Sequence, residues 1–321
     1  MASWRSWTAD PSASTSVVTD ELATRPLRIA VASGKGGTGK TLVSVGLASL
    51  AAQAGASVAL VDCDAEAPND HLFLTREEPV ASPVTVPVAT PTEACNGCGT
   101  CRNACAYGAV RILGGKAMVF DELCHGCGVC IRECPSGAMW ETPMRVGEII
   151  SGQVAGPQPL TLVTGQLDVG QVKTPSVIRE ARAQAASLGA DLTICDAPPG
   201  VACAAVAAVR DVDVLILVTE PTPFGLHDLK LAHSLGQALG LPMGIVVNRD
   251  TGASDVVDAL AAQWDVPVLA RIPFDRAIAE TYATGGNAAL EVESVTIALQ
   301  TALAQAPGLA VEAAEDDWEA W

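Results

Sequence analysis

Eight of the eleven cysteines fall between positions 95 and 134, in two runs of one spacing: Cys95-x2-Cys98-x2-Cys101-x3-Cys105 and Cys124-x2-Cys127-x2-Cys130-x3-Cys134-Pro135. A loop with a thiolate at every third position can wrap three sulfurs around one face of a metal centre. Gly97, Gly99, Gly126 and Gly128 supply the backbone freedom such winding needs. Zinc is the competing chemistry, but structural zinc sites draw four ligands from two separated pairs rather than from two tetrads. A disulfide framework suits small secreted domains, whereas the opening "MASWRSWTADPSASTSVVTDELATRP" holds no apolar signal-peptide core. His125, inside the second run, reads as a surface neighbour. Cys63, Cys195 and Cys203 are dispersed, the first two in strand-like runs where small packed residues are expected.

Upstream, Gly34-Lys35-Gly36-Gly37-Thr38-Gly39-Lys40-Thr41 matches G-x-x-x-x-G-K-[ST]. "RIAVAS" before it reads as a strand and "TLVSVGLASLAAQAG" after it as a helix, the context the motif requires. Its glycines let successive backbone N–H groups face phosphate oxygens at a helix N-terminus. Lys40 then reaches the β- and γ-phosphates, and the Thr41 hydroxyl a Mg²⁺ ion. The expected ligand of this loop is ATP with Mg²⁺.

The elements that must position these motifs follow from patterning. From Leu27 onward, short β-rich runs alternate with helix-length Ala/Leu segments: "SVALVDCD", "LTLVTG", "DLTICDAP", "VDVLILVTE", "MGIVVNRD" and "VPVLARIP" are the later strands. Such alternation predicts an α/β fold with a mostly parallel sheet covered on both faces. The rhythm breaks at the Pro-rich "EEPVASPVTVPVATPTEA" and resumes after "WETPMRVGEI". The expected organisation is a polar, disordered tail over 1–26 and a discontinuous nucleotide domain over 27–81 and 146–305. An insertion over 82–145 carries the cysteines, and an acidic Trp-containing tail spans 306–321.

The cysteine runs resemble bacterial two-cluster ferredoxins, in which the fourth cysteine of each run ligates the other cluster. That resemblance implies a small α+β ferredoxin-like domain with two 4Fe–4S clusters. One would be held by Cys95, Cys98, Cys101 and Cys134, the other by Cys124, Cys127, Cys130 and Cys105. The first run departs from the pattern at Ala106, where a proline is usual; no ligand is lost. Lys35 matches the signature lysine of the deviant-Walker ATPases, the group of MinD, ParA and the nitrogenase iron protein. In that family the lysine reaches the partner's nucleotide across a dimer interface. The resemblance therefore implies an ATPase whose hydrolysis depends on a nucleotide-sandwich dimer, with itself or a close paralogue. "VDCDAEAPN" is similar to the family's first switch, which makes Asp64 the orienter of the attacking water and Asp62 a support of the Mg²⁺ shell. "ICDAPPG" resembles the Walker-B strand and second switch, with Asp196 on Mg²⁺. "VVNRD" and "IPFD" resemble the base-contacting segments, with Asn248 and Pro273 at adenine. In the iron protein a cysteine at the place of Cys203 bridges a cluster between subunits, but the segment "GQLDVGQVKTPSVIREAR" lacks the second cysteine this requires.

Three function classes compete: an ATP-gated electron-transfer protein, an iron–sulfur or metallocofactor assembly ATPase, and a spatial regulator of the MinD/ParA kind. Tetrads of protein thiolates suit clusters that stay, which favours the first. The ending "VEAAEDDWEAW" is acidic, unlike the basic amphipathic helix by which MinD reaches membranes, and counts against the third. Trp318 and Trp321 within it make a candidate docking peptide for a protein partner. A formal net charge of −17 argues against nucleic acid or anionic lipid as partners. The longest apolar run, "VACAAVAAV", falls short of a membrane span. A cytoplasmic location and a redox or metallocofactor protein partner are the remaining expectations.

Overall fold

Successive residues of β1 (Leu27–Ala32) serve two different cores. Ile29 and Val31 enter one apolar cluster, Ala30 and Ala32 another, as a strand buried on both faces of a parallel sheet must do. The computed structural model describes residues 26–252 and 254–319; residues 1–25 of the tail expected over 1–26 and the side chains of Trp318 and Trp321 lie outside them. After β1 come α1 (Lys40–Gln53), β2 (Val58–Asp62) and, past the cysteine region, β7 (Leu160–Leu167), α4 (Thr174–Ser187), β8 (Leu192–Asp196) and α5 (Cys203–Val209). The chain continues through β9 (Val214–Thr219), α6 (Pro223–Ala238), β10 (Met243–Asp250), α7 (Asp255–Trp264) and β11 (Val268–Pro273). It ends in α8 (Arg276–Ala283), α9 (Ala288–Glu291) and α10 (Glu293–Glu319).

The strands from β11 through β10, β9, β1, β8 and β2 to β7 pair in parallel, with β1 central. The α/β reading of the sequence holds for this part. α1, α9 and α10 cover one face; α4, α5, α6 and α7 cover the other. α1 is buried from Lys40 to Ala52, being sandwiched between the sheet and α10. A fully buried side chain such as Leu47 contributes roughly 2 kcal/mol there. α10 continues past the tail boundary expected at 306, because Ala306 and Ala310 extend its buried apolar face.

The Pro-rich stretch is not a break in the sheet. β3 (Arg76–Pro91) is a sixteen-residue strand, paired antiparallel with an equally long β6 (Met139–Val154), and β6 pairs antiparallel with β7. The expected insertion boundaries at 82 and 145 therefore fall inside two strands of the main sheet. β3 lies at the sheet edge. Pro83, Pro87 and Pro91 recur every fourth residue, so their missing N–H groups fall on one side of the strand, and an edge needs donors on only one side. Beyond β7 the β3–β6 ribbon carries the cysteine lobe: α2 (Thr100–Ala104), β4 (Val110–Leu113), β5 (Lys116–Val119) and α3 (Val129–Arg132). Val88, Ala109, Val110 and Met139 form a third core there with Cys101, Cys124 and Cys130; Val86 and Met144 join it to the main domain.

Candidate functional site

The ends of β1, β2 and β8 bring the phosphate loop, Asp62 and Asp196 to the carboxyl edge of the sheet. A cleft of about 410 Å³ opens there, within the size range of small-molecule sites. It is lined by Gly36, Gly37, Gly39, Lys40 and Thr41 on one side and by Asn248, Pro273, Phe274 and Tyr282 on the other, with Asp64, Asn69 and Asp196 at its base. Gly39 has φ +99°, and a Cβ on it would lie 2.2 Å from Asn248 Nδ2, so no other residue fits the last turn before α1.

Thr41 Oγ1 lies 2.7 Å from Asp196 Oδ2 and 3.1 Å from Asn69 Oδ1, and Ser44 Oγ donates to Asp196 Oδ1 at 3.0 Å. Burial pulls the Lys40 ammonium below its ordinary value, against the charges of Asp196 and Asp64. Burial pushes Asp64 up, against the opposing charge of Lys40. Asp62 is fully buried and accepts backbone N–H groups from Asn69 at 2.8 Å, Asp70 at 3.1 Å and Asp64 at 3.2 Å. It thus holds the whole loop from 64 to 70 against the end of β2. Burial, then the charge of Asp196, pushes its carboxyl up to about 7.

Sequence reasoning missed Asn69, Asp70 and Tyr282. Asp70 is fully buried, and neither of its carboxyl oxygens receives a hydrogen bond from an N–H or O–H group among the described residues. Burial and then Asp62 and Asp196 raise its pKa well above the carboxylate range. Asp62, Asp70 and Asp196 are thus gathered out of water at the ends of β2 and β8. The Tyr282 hydroxyl is pushed up to about 12, chiefly by burial, and lies against Thr41. Asn69 closes the run "VDCDAEAPN" with no role read for it there, and no local motif marks Asp70 or Tyr282, which only the fold brings beside Thr41.

The remaining expected nucleotide contacts are arranged less directly. Gly34 packs against Asp228, and Thr38 is buried with its carbonyl accepting from Asn248 Nδ2 at 2.7 Å. Asn248 Oδ1 accepts from its neighbour's backbone, Arg249 N, at 2.9 Å, so one end of this amide braces the loop and the other is held by its own strand while the residue lines the cleft. The half-buried Lys35 accepts at its carbonyl from Ser33 Oγ at 2.6 Å and Lys40 Nζ at 3.5 Å.

In the cysteine lobe, Cys105, Cys124, Cys127 and Cys130 line one cavity together. Cys101 is raised by burial first and, among the charges acting on it, by Cys95 and Cys134; Cys98 is also within electrostatic reach of Cys134. Backbone N–H groups of Ala117 and Ala138 each point at a sulfur, Cys95 Sγ and Cys134 Sγ, at 3.3 Å. Gly97 has φ +68°, and a Cβ there would lie 2.2 Å from the Gly115 carbonyl oxygen. Among the described residues, no three His, Cys, Asp or Glu side chains are drawn together as ligands of a single ion. His125 is exposed and stacks on Tyr107 with ring centroids 3.7 Å apart. Cys63 and Cys195 are buried against each other, their mutual hydrogen bond pushing Cys63 well up, while Cys203 is exposed at the start of α5. No helix among the described residues is long and apolar enough to cross a membrane.

Comparison with known proteins places this geometry. Two uncharacterized proteins of Methanocaldococcus jannaschii are similar to the chain. One is 30% identical over 264 residues, covering 80% of this chain and 89% of the relative. The other is 36% identical over 211 residues, covering 65% and 73%. The septum site-determining protein MinD of Pyrococcus horikoshii, solved as a complex with Mg-ADP, shares the fold at 22% identity, with TM-score 0.54 and coverage of 87% of this chain and 94% of that one. A variant of McdA from Cyanothece, solved as a complex with ATP, does so at 15% identity, TM-score 0.54, over 88% and 97%. The model of the CobQ/CobB/MinD/ParA nucleotide-binding domain matches residues 29–288, which span the phosphate loop, Asp62, Asp64, Asp196, Asn248 and Pro273 as well as the whole cysteine lobe. With that match and the cleft at the head of α1, the chain belongs to the CobQ/CobB/MinD/ParA family of nucleotide-binding proteins.

Proposed function

We propose that this protein is an ATPase that couples nucleotide state to low-potential electron transfer through two 4Fe–4S clusters in its cysteine lobe. The observation that carries the reading is the crosswise grouping of the cysteines. Cys105 of the first run shares a cavity with Cys124, Cys127 and Cys130, while Cys134 of the second run acts electrostatically on Cys98 and Cys101. The donor set fits the group: eight thiols in two fours, with backbone N–H groups aimed at sulfur. A cubane spaces its four thiolates by its own width, so ligands that do not close on one ion suit it. Bound clusters would supply one-electron chemistry, their potentials set by hydrogen bonds to sulfur and by exposure.

At the nucleotide cleft the chain's own residues divide the work. Backbone N–H groups of the loop and Lys40 bind the phosphates of ATP, while Thr41, Asp196 and Asp62 serve Mg²⁺, with Asp70 beside them. Asp64, close to Lys40 and partly desolvated, orients the attacking water. Lys35 acts across a dimer of this chain or of this chain with a close paralogue, and Asn248 with Pro273 flanks the base. Loss or gain of the γ-phosphate then moves the loop that Asp62 anchors.

A second reading, a nucleotide-dependent switch of the MinD/ParA kind with clusters as redox sensors, draws on the fold shared with MinD and McdA. EPR and redox titration of anaerobically reconstituted protein separate the two. Electron-transfer coupling requires cluster potentials that differ between ADP and a non-hydrolysable ATP analogue. Clusters indifferent to nucleotide would sink it, and ATP hydrolysis that changes with cluster oxidation would instead favour the switch. Cluster transfer to an apo-acceptor would favour the assembly role.

A further inference from the structure

We propose that the segment Leu167–Thr174 is a strap transmitting nucleotide state from the loop after β2 to the second cysteine run, with Lys173 as its positioning residue; the inference builds on the coupling proposed above. The strap is tied to the nucleotide loop at both ends. Leu167 N donates to the Ala65 carbonyl at 2.8 Å, and Thr174 Oγ1 donates to Glu66 Oε1 at 2.8 Å. Ala65 and Glu66 directly follow Asp64, so any displacement of that loop loads both ties.

The same strap is tied to the lobe. Asp168 N donates to the Val146 carbonyl at 2.9 Å, and the Arg145 guanidinium donates to both Asp168 oxygens, at 2.9 and 3.2 Å. The Lys173 ammonium donates to the backbone carbonyl of Cys124. From the nucleotide loop to a cluster-bearing loop the path is therefore Glu66, Thr174, the adjoining Lys173 and Cys124. Its last step is a charge-assisted hydrogen bond, of the stronger kind. These ties fall on the ribbon and on the second run, so it is the loop of Cys124, Cys127 and Cys130 that follows the nucleotide.

Hydrogen exchange of the full chain, compared between Mg-ADP and Mg with a non-hydrolysable ATP analogue, tests this without requiring clusters. Peptides across 121–130 are expected to differ about tenfold in exchange between the two states, as one hydrogen bond made in only one of them would cause. Lys173→Met should abolish that difference while the response over 64–70 remains, and Thr174→Val, which removes only the hydroxyl meeting Glu66, should reduce it. No difference over 121–130 in the unaltered chain overturns the proposal, as does a full difference in both variants. Iron content of the same samples reports on the clusters separately. Anaerobically reconstituted protein that takes up no cluster iron yet still shows the Lys173-dependent difference would sink the electron-transfer reading and leave the strap standing.

Discussion

Replacing Asp62 by alanine removes the acceptor of three backbone N–H groups at once, those of Asp64, Asn69 and Asp70. The side chain is fully buried, so each abandoned donor costs about 1–3 kcal/mol. Water entering the space left by the carboxyl recovers part of this, and a net loss of about 3–5 kcal/mol is expected. Asp62→Asn should behave differently. Its amide oxygen can stand where Oδ2 stood, keeping the two shorter bonds from Asn69 and Asp70, and only the 3.2 Å bond from Asp64 is lost. It also removes a buried acid that burial and Asp196 already push up to about 7. A cost of about 1 kcal/mol follows. Denaturant unfolding of nucleotide-free protein measures both values, and amide exchange at 64, 69 and 70 shows where the loss falls. Equal destabilisation by the two substitutions, or a loss under about 1 kcal/mol in Asp62→Ala, would refute the view that this carboxyl holds the loop.

Further outcomes are expected elsewhere. Lys40→Met should weaken ATP binding at least tenfold in a fluorescence titration with little effect on iron content. Gly97→Ala, forced against the Gly115 carbonyl, should lower iron content while leaving nucleotide binding unchanged. Cys134→Ser should alter the EPR signal of the cluster whose other ligands are in the first run, and Cys105→Ser that of the other; effects confined to the mutated run would refute crosswise ligation. Burial pushes Asp250 up, but the Ser254 hydroxyl, the Gly252 N–H and Arg271 outweigh it and hold the carboxyl below its ordinary value. A depressed folded pKa stabilises above the unfolded value of 3.8 and loses that contribution as pH falls through the folded one. Asp250→Asn should therefore flatten the acid limb of the stability curve below about pH 4.

The parts of this molecule legible in the sequence are those whose chemistry is local. "GKGGTGKT" fixes its own turn, and the alternation of β-rich and Ala/Leu-rich segments predicts the parallel sheet that β1, β2, β7, β8, β9, β10 and β11 form. The ribbon was harder to read because four prolines between 79 and 91 resemble a linker. Yet Val84, Val86 and Val88 alternate at strand period, and proline is compatible with an edge. Asp70 was illegible for another reason. A carboxyl becomes significant there only when β8 brings Asp196 beside it, and nothing in the run "APND" records that meeting. Lys173 is the same case, an ordinary helix-start residue until the ribbon folds Cys124 onto it.

The ribbon has a mechanical consequence. β6 pairs with β7 only as far as Gly147, so the stretch from Met139 to Arg145 runs on with β3 alone for roughly 20–25 Å at strand rise. It leaves from the sheet edge that also holds the nucleotide cleft. The lobe thus rides on a two-stranded arm whose root lies beside the strap, and the Lys173–Cys124 hydrogen bond with the Val86 and Met144 contacts braces it back onto the main domain. Under the coupling proposed above, releasing that brace would let the arm pivot near Gly147, so one contact rather than bending of the sheet would set how far the lobe stands from the cleft.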